Sequence, residues 1–164
     1  KVTICDPYAG VGPSLANLIS EERLVDSVLA GDLNPQAVEL LEQNLEHYLK
    51  KSTEEINQVI RCQDARDWAK DSEHQHSVDL LLVNLPHSTL EHIEDLLPLM
   101  KRETLSLIRG WAIIERDELS EVEESMNHLL VNHGATDLHL SCQEVKGFSA
   151  TKIFTRIESW QTFV

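Results

Sequence analysis

Four polar residues close short apolar runs in the 164-residue chain: Asp6, Asp32, Asp64 and Asn84. The runs ahead of them are β-favouring, such as Val2-Thr3-Ile4-Cys5 and Leu80-Leu81-Leu82-Val83. If those runs are parallel strands of one open sheet, the four side chains meet on one rim, where such sheets bind ligands. A carboxylate there can accept both hydroxyls of a ribose, and Asp32 stands twenty residues after Gly12, the spacing at which such a carboxylate is expected. Asp64, together with the backbone at Ala65, can bond the amino edge of a nucleobase, and a carboxamide at Asn84 can donate or accept beside a reacting group. Asp and Asn favour strand ends and caps in many proteins. Four of them in register with a glycine turn are harder to assign to capping alone.

That turn is Asp6-Pro7-Tyr8-Ala9-Gly10-Val11-Gly12-Pro13. Gly10 and Gly12 permit a tight reversal and a close ligand approach, and Pro13 suits the first position of a helix. No third glycine follows at the dinucleotide spacing, so this is a different strand–turn–helix cradle. The remaining pattern predicts strands over residues 24–32, 59–63, 78–84, 104–114, 136–145 and 151–157. Helices are predicted over residues 14–22, 35–49 and 118–133, with another after Asn84-Leu85-Pro86-His87, where Ser88 and Glu91 have capping-box spacing. The fifth strand is expected to bend at Gly110. Two final strands without an intervening helix must pair antiparallel. The predicted fold is α/β: a doubly wound, mostly parallel seven-stranded sheet with an antiparallel last strand, in one domain over residues 1–164.

Composition narrows the function. The formal charge is −14, which disfavours nucleic acid and anionic membranes unless the charge is segregated. Lys50-Lys51 and Lys101-Arg102 are only pairs, and residues 115–124 read as the solvated acidic face of a helix. No apolar run is long enough to span a bilayer. Three well-separated cysteines (Cys5, Cys62 and Cys142) without a Cys-x-x-Cys pair predict free thiols, no zinc and a reducing compartment. The cytoplasm is expected, or the mitochondrion or nucleus in a eukaryote. The chain opens abruptly on a strand, so material upstream of Lys1 is expected.

The glycine turn, Asp32-Leu33-Asn34-Pro35-Gln36-Ala37-Val38-Glu39-Leu40-Leu41 and Asn84-Leu85-Pro86-His87 together resemble the archaeal and eukaryotic tRNA guanine N1-methyltransferases. These are class I enzymes that use S-adenosylmethionine (SAM) to modify the guanine 3′ to the anticodon. The resemblance covers nearly the whole chain. It implies that Asp6, Tyr8, Ala9, Gly10 and Gly12 line the methionine end of SAM, that Asp32 and Leu33 hold the ribose, and that Asp64 and Ala65 hold the adenine. Asn84 and Pro86 would lie between the methyl group and the target base, as the catalytic pair. tRNA is the implied partner, docked through domains upstream of Lys1, where the family also keeps an essential arginine and glutamate. The chain departs from the family in its hairpin loop, Lys146-Gly147-Phe148-Ser149, and in Lys101-Arg102-Glu103 ahead of the fifth strand. A close relative transfers the aminocarboxypropyl group of SAM instead, and Asn-Leu-Pro weighs against that chemistry here.

Other chemistry-bearing residues have plainer readings. His87 is expected as a surface residue near a helix start, His74 and His76 as loop residues without a third metal ligand, and Trp68, Trp111 and Trp160 as packing anchors. Arg66 and Arg109 are the candidates for phosphate contact. Two alternatives to tRNA methylation stay open: a SAM methyltransferase acting on a protein or small molecule, and a non-catalytic module that binds a protein partner through its acidic helix.

Overall fold

The computed structural model describes residues 1–20, 24–52 and 55–164, so the predicted last turn of the first helix at Glu21-Glu22 and Thr53-Glu54 in the following connection lie outside the described residues. In chain order the elements are β1 (Val2–Asp6), α1 (Pro13–Ser20), β2 (Val25–Asp32), α2 (Pro35–Leu49), β3 (Asn57–Cys62), a 3-10 turn (Ala65–Lys70), β4 (Leu80–Val83), α3 (Thr89–Leu96), β5 (Leu105–Glu115), α4 (Leu119–Asn132), β6 (Ala135–Gly147) and β7 (Lys152–Phe163). They form one seven-stranded sheet in the order β3-β2-β1-β4-β5-β7-β6. β1 to β5 pair in parallel, and β7 runs antiparallel to both β5 and β6. This is the predicted doubly wound architecture, and the order reverses between β1 and β4. That reversal opens a crevice at the carboxyl ends of the central strands.

Alternating side chains send the central strands into two cores. Ile4, Val28, Ala30 and Leu82 pack with Leu15 and Ile19 of α1 and Leu41 and Leu45 of α2. Cys5, Leu29, Leu81, Val83 and Ile108 pack on the opposite face with Trp68, with Ile93 and Leu96 of α3, and with Met126 and Leu130 of α4. β4 is therefore apolar at every position, as a strand covered on both faces must be. Each leucine or isoleucine fully buried here contributes on the order of 2 kcal/mol. α2 begins as its sequence dictates: Asn34 Oδ1 accepts the Gln36 N–H at 3.0 Å, and Pro35 occupies the first turn.

Several expectations are corrected. β5 runs unbroken through Gly110, which pairs with Val83 on one side and Ile157 on the other. β7 extends to Phe163, beyond the predicted end at residue 157, because it is hydrogen-bonded along both edges. The Ser88–Glu91 capping box does not form, and Ser88 makes no side-chain cap bond. Thr89 secures that helix start instead. Its buried hydroxyl lies 2.7 Å from Trp111 O, 2.9 Å from Leu85 O and 3.3 Å from Val83 O, joining β4, the loop after it and β5. Of the three tryptophans only Trp68 is fully buried, and Trp160 on β7 is 41% exposed.

Candidate functional site

The glycine turn is bonded to the end of β2. Ala9 N–H donates to Gly31 O at 2.9 Å, and Gly12 N–H donates to Ala9 O at 2.8 Å. Gly10 N–H donates to Asp32 Oδ2 at 3.1 Å, while Asn34 N–H donates to Asp32 Oδ1 at 2.9 Å. Asp32 is thus gripped by two main-chain donors and keeps spare acceptor capacity. The two glycines differ in what they demand. Both have positive φ, +55° at Gly10 and +84° at Gly12, but a Cβ at Gly10 would meet open space, whereas one at Gly12 would lie 2.7 Å from Leu41 Cδ1. A side chain at Gly12 would be strained by its φ and would push Leu41 of α2 aside. Gly10 leaves the backbone bare to open space.

Asp6 and Asp64 occupy opposite electrostatic environments. Asp6 is 2% exposed. Burial pushes its carboxyl up to about 7, against the backbone N–H of Tyr8, which stabilises the ionised form, and with a smaller repulsion from Asp32. Its Oδ1 is buried with no partner among the described residues. Asp64 is held down to about 2, chiefly by its side-chain bonds to Arg66 and then by the Arg66 N–H. Arg66 Nε reaches Asp64 Oδ1 at 3.0 Å and Nη2 reaches Oδ2 at 2.6 Å, a two-pronged pair.

A cleft of about 250 Å³ gathers Tyr8, Asp32, Leu33, Asp64, Ala65 and Asn84, all predicted from sequence, with Pro7, Gln63, Arg66, Leu85 and His92. Asp6, Ala9, Gly10, Gly12 and Pro86 are not among its lining residues. They lie at the end of β1, in the glycine turn and in the loop after β4. Pro86 O accepts the Ile113 N–H at 2.8 Å, which fixes that loop on β5. His87 is exposed, as expected, and its ring meets Phe148 of the β6–β7 loop edge-on, with centroids 6.0 Å apart.

Other candidates fall elsewhere. Arg109 is committed to Glu158 across β5 and β7, with Nε 2.9 Å and Nη2 2.5 Å from one carboxylate oxygen, and it does not line the cleft. His74 does have carboxylate neighbours, contrary to expectation: Asp71 and Glu73 bring oxygens within 4.8 Å of it, although Asp71 is already bound by Arg61 at 2.6 Å. His76 is not in that group. Pro7, Gln63, Leu85 and His92 are not predicted for the cleft from sequence, and His92 is the titratable one among them. Its Nδ1 lies 2.7 Å from the Tyr8 hydroxyl, a contact across 84 positions of sequence that no local pattern announces. A second groove of about 290 Å³ lies between α3 and α4, lined by Leu90, Glu118, Glu121, Val122, Ser125, Met126 and Leu129.

A family model described as conserved hypothetical protein 95 matches residues 1–138. The chain is 37% identical over 95 residues to tRNA (guanine(37)-N(1))-methyltransferase 2 of Arabidopsis thaliana, a match covering 56% of this chain and 14% of the relative. The chain therefore spans a small part of that curated relative's length. The crystal structure of M. jannaschii TYW2 in complex with AdoMet superposes with a TM-score of 0.78 at 15% identity, covering 100% of this chain and 70% of that one. WT Trm5b from Pyrococcus abyssi superposes with a TM-score of 0.78 at 21% identity, covering 99% and 44%. At these identities the likeness establishes the fold alone, a mostly parallel seven-stranded α/β sheet with an antiparallel β7. The chain belongs to the family described as conserved hypothetical protein 95.

Proposed function

We propose that this chain is the catalytic domain of a SAM-dependent tRNA methyltransferase that modifies N1 of a guanine beside the anticodon. The observation that carries the reading is the cleft itself. Asp32 is locked by Gly10 and Asn34 at the end of β2, and Asp64 and Asn84 close the same space from β3 and β4. The named activity of the Arabidopsis relative supports the choice of substrate.

The residues present fit SAM. Asp6 offers a buried, unpartnered oxygen behind the turn, suited to a cationic amino group. Gly10 leaves its backbone open where a Cβ would otherwise project. Asp32 can accept from the ribose hydroxyls, and Asp64 and Ala65 can bond the adenine edge. When bound, the cofactor supplies an electrophilic methyl group. The chain's own part in the reaction is positioning. Guanine N1 carries a proton that must leave as the methyl arrives, and its O6 must be held by a donor. The Asn84 carboxamide can donate to O6 or accept from N1, and Pro86 holds its loop rigid through the bond to Ile113. A reducing, cytoplasmic setting accords with the free thiols of Cys5, Cys62 and Cys142. Among the described residues no helix is long and apolar enough to cross a membrane.

The test is methyl transfer from labelled SAM by the full-length protein to tRNA transcripts that carry or lack guanine at the target position. Label on N1 of that guanine alone supports the reading. Transfer that ignores tRNA favours a protein or small-molecule substrate, a reading motivated by the net charge of −14. Attachment of the larger aminocarboxypropyl group would replace the reaction type.

A further inference from the structure

His92 makes a hydrogen bond that no role assigned so far uses. It lies on α3 and lines the cleft with Tyr8, Asp64 and Ala65. Its Nδ1 is 2.7 Å from the Tyr8 hydroxyl, and the two rings are tilted at 54° with centroids 5.7 Å apart. Its other nitrogen, Nε2, has no hydrogen-bond partner among the described residues. Imidazole nitrogen is a better acceptor than a phenol oxygen, which favours donation from the tyrosine hydroxyl to Nδ1 and the ring proton on Nε2. Tyr8 itself is only partly exposed, and burial raises its hydroxyl well above the ordinary tyrosine value, so it stays protonated and able to donate. In that tautomer the pair offers one N–H from a residue that lines the cleft beside Asp64 and Ala65.

We propose that His92 is a cofactor-reading residue: its Nε2–H donates to a ring nitrogen of the adenine, with Tyr8 as the positioning residue that sets the tautomer. This rests on the reading of the cleft as a SAM site. It extends that reading because Asp64 and Ala65 then bond one edge of the purine while a side chain from α3, across the cleft, engages a second acceptor. A purine carries three ring nitrogens able to accept such a bond, and a ligand with a carbon in the contacted place loses it. The pair also couples α3 to the glycine turn, so the two walls of the cleft are set relative to each other before the cofactor arrives.

The test is calorimetric titration of the full-length protein with S-adenosylhomocysteine, which carries the same adenosine and undergoes no turnover. His92→Phe keeps the ring volume and loses both hydrogen bonds. It is expected to weaken binding about three- to tenfold, the range of one neutral hydrogen bond. His92→Gln places a carbonyl toward Tyr8 and an N–H₂ toward the ligand, and it is expected to restore most of that loss. Tyr8→Phe is expected to weaken binding less than His92→Phe, and the double variant no more than His92→Phe alone. In ¹⁵N spectra of the ligand-free protein, His92 is expected as the Nε2–H tautomer, moving toward a mixture in Tyr8→Phe. One of the 1-, 3- or 7-deaza-adenosine analogues should bind wild type more weakly and His92→Phe no more weakly still, which identifies the acceptor. Wild-type affinity in His92→Phe, a Gln variant no better than Phe, or no analogue coupled to His92 would overturn the proposal. If Asp32→Ala still abolishes binding in those cases, the SAM reading survives. If wild type binds no cofactor at all, the SAM reading fails first.

Discussion

The two flanks of the sheet hold their charges by different means. At the ends of β1 and β2, Asp6 and Asp32 are held by backbone N–H groups: Tyr8 for the first, Gly10 and Asn34 for the second. Across β5, β6 and β7, charged side chains are matched to one another, Arg109 with Glu158, Arg116 with Glu144 and Lys152 with Glu115. A carboxylate held by main-chain dipoles stays fixed and retains lone pairs for a ligand. A carboxylate paired with a cationic side chain has its charge directed at that partner. Asp64 lies between these cases, since it faces the cleft yet is bound by Arg66. Open acceptor capacity on a rigid frame therefore distinguishes the cleft from the rest of a strongly acidic molecule, where charge alone does not.

The largest effect expected from this contrast is at Asp32. Asp32→Ala should weaken SAM binding by about a hundredfold or more, because two hydrogen bonds to a charged carboxylate contribute about 1.5–3 kcal/mol each. Unchanged affinity by calorimetry would remove the ribose assignment. Asn84→Ala should leave that affinity nearly intact and slow methyl transfer by about ten- to a hundredfold, the cost of losing one positioning or proton-handling group. A loss in binding alone would move Asn84 out of the reacting region.

Asp6 gives a pH signature. The folded chain keeps its proton up to about pH 7, while the ordinary carboxyl value is 3.8. Between those values the folded state holds the extra proton, so stability falls as pH rises. This contribution is complete below 3.8 and is lost as pH passes 7. Asp6→Asn cannot ionise, so its Tm should rise relative to wild type as pH is raised from about 4 to about 7. Parallel curves for the two proteins would contradict the buried, raised carboxyl. The smallest effect belongs to the other flank. Arg109 and Glu158 are 40% and 23% exposed in their side chains. Solvent screening at that exposure limits the loss in Glu158→Gln to below about 1 kcal/mol, with SAM affinity unaltered. A large loss of binding there would erase the distinction between the flanks.

The fold was legible where local chemistry is decisive. The continuous Leu80–Val83 run required a strand covered on both faces, and the glycine turn with Pro13 required a strand–helix reversal. The cleft was legible at strand ends, because parallel strands bring their last residues together whatever lies between them. Contacts from helices were not. His92 reaches Tyr8 only through the packing of α3 beside the 3-10 turn Ala65–Lys70, which no spacing within α3 encodes. The failed Ser88–Glu91 box has a similar origin: the tertiary bonds of Thr89 fix that helix start. β7 outran its prediction because Glu158, Trp160 and Thr162 look like a polar tail until their pairing with Arg109, Leu107 and Leu105 is seen.

The most direct test of the central claim is a map of backbone amide shifts as SAM is added to the isotope-labelled protein. The account predicts that Gly10, Gly12, Asp32, Asn34, Ala65 and Asn84 move together along one saturating curve, while Arg109, Gln143 and Glu158 stay still. Shifts centred on Val122, Ser125 and Leu129 in the α3–α4 groove, or no saturable shift anywhere, would contradict it.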